Sequence, residues 1–113
     1  MAKYMFLIRG GEYETMSPDQ MGSVVDKFIA WSRSVRAKGY EFTGDELDDR
    51  TVVLKGDGLR PVVADGLFTE AKDIVGGYFL LDAPDLETAT DIAKGCPNLE
   101  YGGLVEVRPI IER

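Results

Sequence analysis

Residues 62–82 read VVADGLFTEAKDIVGGYFLLD, and this stretch decides the fold. It opens on the β-branched pair Val62-Val63 and breaks at Asp65-Gly66, a dipeptide suited to a tight turn. A short polar segment follows, with Thr69, Glu70, Lys72 and Asp73, and reads as helical. The chain then re-enters a sheet through Gly76-Gly77 as YFLLD, apolar at nearly every position. A hairpin needs only about two to five connecting residues. So elaborate a connection marks the first place to seek a site.

Upstream, YMFLIR (4–9) alternates as a strand with apolar residues on both faces. Tyr4, Phe6 and Ile8 point one way and Met5 and Leu7 the other, with Arg9 at the exit. Ser17-Pro18-Asp19-Gln20 predicts a helix start, with Ser17 as N-cap, Pro18 in the first helical position and Gln20 closing a capping box. Apolar residues recur at helical spacing from there: Met21, Val24, Val25, Phe28, Trp31 and Val35. Lys38 and Gly39 end the helix. Tyr40 to Leu47 is a weaker strand running into the carboxylates Asp45, Glu46, Asp48 and Asp49. These lack the mid-loop glycine and closing glutamate of a calcium-binding hand and read as a solvated turn. Thr51 to Lys55 and Arg60 to Val63 form a hairpin around Gly56-Asp57-Gly58. That glycine pair joins strand to strand, so it is not a phosphate loop.

Downstream, Asp85 caps a second helix with Leu86, Ala89, Ile92 and Ala93 as its buried face, and Gly95 and Pro97 end it. Cys96 reads as a small, partly buried filler, since no histidine can activate it. LVEVRPII (104–111) is the last strand, with Glu106 and Arg108 on one face; Pro109 suits an edge or a strand end.

One strand, a long helix, several strands, a short helix and a final strand predict a single α+β domain over residues 1–113, a sandwich of ferredoxin-like type. Two helices cover only one face of its sheet. The first strand and Tyr78 to Leu81 are nevertheless apolar on both faces. The uncovered face exceeds what a soluble monomer normally exposes, and a second copy packed sheet to sheet is the simplest remedy.

Composition limits the chemistry. Thirteen Lys and Arg against twenty Asp and Glu give a net charge of -7 and no basic run, which argues against nucleic acid or an anionic membrane as partner. Neither a signal peptide nor a bilayer-length apolar span is expected, and one cysteine excludes an internal disulfide; a reducing cytoplasm fits. There is no histidine, hence no histidine metal ligand and no Ser-His or Cys-His nucleophile. No cofactor signature is present and no metal site can be assembled.

The opening KYMFLIRG, the segment VADGLFTEAKDIVGGYFLLD and the closing VEVRPI together resemble the YCII-related (DGPF-domain) family over nearly the whole chain. Asp65, Gly66, Phe68, Glu70, Lys72, Gly76, Gly77 and Tyr78 stand where that family's pattern expects them. Leu67 replaces the proline of DGPF and leaves the turn less rigid. The resemblance implies a dimeric α/β barrel of ferredoxin-like protomers and a cleft near the Asp-Gly turn. It also implies a counterpart, at Asp65, of the aspartate in the His-Asp couple of some relatives, but this chain has no histidine to partner it.

Two readings of that cleft follow. In the first, Asp65 sits in a cleft lined by Phe68, Tyr78 and Arg9, is desolvated, and serves as general acid or base towards a small anionic metabolite held by Arg9 or Arg108. In the second, Asp65 caps a turn. The domain is then a non-catalytic ligand-binding or accessory module, of the kind found beside sigma-factor-type regulators among similar proteins. Glu70 and Lys72 read as a solvated face, and Glu106 and Arg108 as a structural ion pair with Arg9 or a partner chain.

Overall fold

The first strand, β1 (Ala2–Arg9), lies inside a four-stranded sheet and alternates as its sequence dictates, with Tyr4, Phe6 and Ile8 buried and Met5, Leu7 and Arg9 partly exposed. The computed structural model describes residues 1–56, 58–63 and 74–113. After β1 come α1 (Pro18–Ala37), β2 (Phe42–Glu46), β3 (Leu54–Gly56), β4 (Pro61–Val63), β5 (Val75–Ala83), α2 (Leu86–Ala93), a 3₁₀ turn (Pro97–Tyr101) and β6 (Leu104–Pro109).

The main sheet is antiparallel throughout in the order β2-β5-β1-β6. Strands β1 and β2 therefore run parallel with β5 between them, and β5 and β6 run parallel with β1 between them. This α+β arrangement of interleaved β-α-β units is compatible with a ferredoxin-like sandwich. The sheet ends in two edges, β2 and β6, and Pro109 sits at the end of an edge strand opposite Tyr4.

Helix α1 starts where its cap chemistry places it. The Gln20 backbone N–H donates to Ser17 Oγ at 3.2 Å and the Ser17 N–H donates to Gln20 Oε1 at 2.8 Å, a complete capping box with Pro18 at the helix start. It stops at Lys38, whose N–H donates to the Val35 carbonyl, while the N–H of Gly39 donates to that of Arg36 and Gly39 turns the chain away at φ 97°. Val24, Trp31 and Val35 carry the buried stripe down onto the sheet. In α2 the Thr88 N–H donates to Asp85 Oδ1 at 2.8 Å, and this bond holds the Asp85 carboxyl below its ordinary pKa.

The core joins one face of the sheet to both helices: Tyr4, Phe6, Ile8, Phe42, Leu81 and Ala83 against Trp31, Val35, Ala89, Ala93 and Cys96. Phe42 and Phe79 stack with ring centroids 4.8 Å apart, and Trp31 meets both edge-on at 5.0 and 5.1 Å. Gly44 pairs with Phe79 across β2 and β5, and a Cβ there would collide with the Phe79 ring. The Phe42–Phe79 stack therefore requires glycine at position 44. Removing a side chain such as Phe6, Phe42 or Leu81 from water is worth ~2–3 kcal/mol each.

Several boundaries differ from the sequence reading. Strand β2 begins at Phe42 rather than Tyr40, and the ladder of the hairpin begins at Leu54 rather than Thr51. Leu86 is exposed. It shares the i, i+3, i+7 stripe of Ala89 and Ala93, but it stands in the first position of the helix, at the end of the buried side rather than within it. Cys96 is fully buried rather than partly so, and burial pushes its thiol up to about 11. The turn residue Asp57 and the Asp65–Asp73 segment, with Phe68, Glu70 and Lys72, lie outside the described residues.

Candidate functional site

Three glycines make room beneath α1. Gly44 and Gly77 occupy helix-facing positions of β2 and β5, in line with Phe42 and Phe79, but carry no side chain to fill the layer above them. Gly76 adjoins Gly77, and a Cβ there would meet nothing nearer than the Ile8 carbonyl at 4.0 Å. The result is a cleft of about 840 Å³ between the inner face of α1 and this end of the sheet. Met21, Val24, Val25, Phe28 and Ile29 form its helix wall, and Ile8, Phe79 and the glycines form its floor.

The cleft leaves apolar side chains in contact with solvent. Val25, Ile29 and Ile74 keep 43%, 44% and 42% of their surfaces exposed, although all three line a concavity. Val25 was expected in the buried stripe of α1; here it faces the cleft rather than the core.

Polar groups sit at the two ends. Towards the C-terminus of α1, Arg36 donates through Nη1 to Ser32 Oγ at 2.6 Å and to the Phe42 carbonyl at 3.2 Å, which fixes its guanidinium in the wall. Towards the helix N-terminus stand Tyr13, Glu14 and Asn98. Glu46 and Asp49 add carboxylates on the strand side. Met21 and Arg36 are fifteen residues apart on one helix, so the cleft is elongated, spanning on the order of 22 Å along its wall.

Asn98 is wholly buried and uses every polar atom of its amide. Nδ2 donates to the carbonyls of Arg9 (2.9 Å) and Leu104 (3.0 Å), and Oδ1 accepts from the Tyr13 hydroxyl (2.5 Å). Burial, and then the proximity of Cys96 and Tyr101, raise the Tyr13 phenol to about 12, so it stays a donor at every physiological pH. The same turn is tied to α1 by Lys27, which donates to Glu100 at 2.9 Å and lies 5.3 Å from the centre of the Tyr101 ring.

The residues singled out in the sequence divide differently. Arg9, Tyr78 and Arg108 stand on the opposite face of the sheet from the cleft, together with Met5, Leu7 and Leu80. There Glu106 binds both arginines, Arg9 Nε at 3.1 Å and Arg108 Nη1 at 3.4 Å, as the ion-pair reading anticipated. Tyr78 donates to Asp45 Oδ2 at 2.8 Å, which raises the phenol's pKa. Asp65 and Phe68 are outside the described residues, and the described chain resumes at Ile74 in the cleft wall. Of the acidic cluster, Asp48 pairs with Arg50 at 2.8 Å, and no group of metal-binding side chains is found among the described residues.

Arg36, Ser32, Tyr13 and Asn98 were not picked out from the sequence. Asn98 meets Arg9 across 89 positions and Tyr13 across 85, a juxtaposition that no local pattern encodes. The glycine floor was visible only as a Gly-Gly dipeptide before a strand.

An antiparallel sheet with two helices on one face and a glycine-floored cleft at one end defines a small α+β domain with a concavity built between helix and sheet. The chain belongs to the YCII-related domain family, which matches residues 2–113. No curated protein matched the chain. No helix among the described residues is long and apolar enough to cross a membrane.

Proposed function

We propose that this YCII-related domain binds a small, elongated, mainly apolar molecule in the cleft beneath α1. The observation that carries this reading is the solvent-exposed apolar wall of Val25, Ile29 and Ile74 within a concavity of about 840 Å³, a size typical of small-ligand sites. Glu14, Glu46 and Asp49 disfavour a multiply charged anion, whereas Arg36 suits one carboxylate or phenolate end. In this reading the anionic ligand is held by Arg36, since Arg9 and Arg108 are engaged with Glu106 on the other face.

Asp65 remains the candidate acid or base, as a carboxyl in the family's Asp-Gly turn whose segment ends beside Ile74. Titration of its carboxyl carbon by NMR tests that role: a pKa above the ordinary ~3.9 supports proton transfer and one below it supports a turn cap. Binding is tested by screening aromatic and aliphatic monocarboxylates against ¹⁵N-labelled protein. Shifts are expected at Phe28, Ile29, Gly77 and Phe79, and Val25→Trp should abolish them. Ligands that shift only the opposite sheet face, or that bind Val25→Trp unchanged, would sink the proposal.

The domain acts as a homodimer in the same reading, two open sheet faces closing a barrel. Support comes from Met5, Leu7 and Leu80 at the centre of that face, with Leu80 and Leu104 still 38% and 42% exposed and charged pairs around them.

A further inference from the structure

Arg36 lines the cleft near the end of α1, and the protein holds its guanidinium by a single nitrogen. Nη1 donates to Ser32 Oγ at 2.6 Å and to the Phe42 carbonyl at 3.2 Å, two bonds that use both of its hydrogens. The other edge carries the Nε–H and one Nη2–H side by side. Among the described residues nothing accepts from that edge. Arg50 shows what such an edge does, turning Nε at 3.2 Å and Nη2 at 2.8 Å to the Asp48 carboxylate. Arg36 makes no ion pair among the described residues, although Glu46 and Asp49 line the same cleft.

An acceptor for this edge would have to carry an apolar body. Ser32, Ile29 and Val25 precede Arg36 by four, seven and eleven positions and therefore share its side of α1, and all of them line the cleft. Ile29 lies about 10 Å and Val25 about 16 Å from Arg36 along the helix axis. A carboxylate places two oxygens in one plane and matches two parallel N–H donors, whereas a phenolate has one oxygen and leaves a donor without a partner. Ser32 is buried and fixed in the helix. Its bond to Nη1, with that of the Phe42 carbonyl, sets which edge of the guanidinium is presented and reduces the freedom a long side chain loses on binding.

On the reading of the cleft as a ligand site, we infer that its occupant is a monocarboxylic acid rather than a phenol. The carboxylate sits bidentate on Nε and Nη2 of Arg36, and the apolar body runs past Ile29 towards Val25. Ser32 is a positioning residue that acts through Arg36. The test titrates two matched pairs, octanoate with octanamide and pentafluorobenzoate with pentafluorophenolate, into the ¹⁵N-labelled full chain at neutral pH. It reads the Phe28 and Ile29 amides and the Arg36 Nε–H signal, assigned through Arg36→Lys. Octanoate should bind about tenfold more tightly than octanamide. Pentafluorobenzoate should bind more tightly than pentafluorophenolate, and only the two carboxylates should shift Arg36 Nε–H strongly. Ser32→Ala should weaken octanoate several-fold and leave octanamide unchanged, and Ser32→Thr should restore the wild-type ratio. Equal affinity for octanoate and octanamide, with the cleft amides shifting for both, would overturn the arginine fork and leave an apolar ligand site standing. Equal affinity within the fluorinated pair would overturn the choice of a carboxylate. Unchanged octanoate affinity in Ser32→Ala would overturn the role of Ser32. No shift in the cleft with any of the four probes would overturn the ligand site itself. The probe comparisons and the Nε–H signal are read on the wild type, so a variant that fails to fold does not shelter the inference.

Discussion

The Tyr13 hydroxyl donates to Asn98 Oδ1 while the amide nitrogen of Asn98 clamps the carbonyls of Arg9 and Leu104. One buried side chain thus joins the loop after β1, the 3₁₀ turn and the start of β6 beside the cleft. Asn98→Ala removes three buried hydrogen bonds and should cost about 3 kcal/mol. Tyr13→Phe leaves only Oδ1 unsatisfied and should cost about 1–2 kcal/mol. Urea denaturation of both variants checks the ranking. Equal losses would mean that the Tyr13 bond carries the whole network.

Gly44 gives way to the Phe79 ring, and its Cβ would also strike the Tyr78 carbonyl. Gly44→Val should unstack Phe42 from Phe79 and cost several kcal/mol, on the order of 3. Near-ultraviolet circular dichroism and thermal unfolding read the effect. A variant as stable as the wild type would show that the stack can repack.

The capping box at Ser17 predicts that Ser17→Ala lowers stability by about 1 kcal/mol, with little further loss in Ser17→Ala/Gln20→Ala. Thermal melts of the single and double variants check this coupling.

Two groups make stability fall at alkaline pH. Cys96 rises from 9.0 to about 11 and Tyr13 from 10.0 to about 12 on folding, both chiefly by burial. A raised pKa favours the folded state below the unfolded value, and that advantage disappears as pH climbs through the folded value. The urea midpoint should hold to about pH 9 and decline between about 9 and 12, with Cys96→Ala flattening the part below about 11. The Cys96 thiol should also resist thiol reagents at pH 8 until the protein unfolds. Rapid labelling of the native protein would contradict its burial.

Asp85 works in the opposite direction. Its depressed pKa adds stability above the unfolded carboxylate value, and that contribution is lost as pH falls through the folded value. Asp85→Ala should therefore be less stable than the wild type at pH 7, and the gap should close on acidification below about 4. A gap that persists at low pH would mean that the carboxyl contributes packing rather than a charged cap.

Much of the fold was legible locally. Ser17-Pro18-Asp19-Gln20 specified a helix start because both halves of a capping box lie within four residues, and the two-faced alternation of β1 fixed which of its side chains enter the core. Glu106 and Arg108, two apart on one strand, share a face by strand geometry alone, and the ion pair with Arg9 followed. The cleft beneath α1 was not legible, and the cleft expected at Asp65 falls on a segment outside the described residues. The polar groups beneath α1 come from that helix and from a turn near the C-terminus, and Tyr78 and Arg9 alternate onto the other face.

The sequence by itself determined the helix boundaries, the core-facing residues of β1, the acidic surface and the absence of histidine chemistry, because each depends on composition or on neighbours a few residues apart. Only tertiary structure decided that Gly44 and Gly77 lie in one layer under α1, that Asn98 reaches Tyr13 and Arg9, and that Val25 faces a cleft. Those relationships depend on strand register and on the position of a helix over a sheet, and residues more than thirty positions apart meet only when the whole chain closes its core.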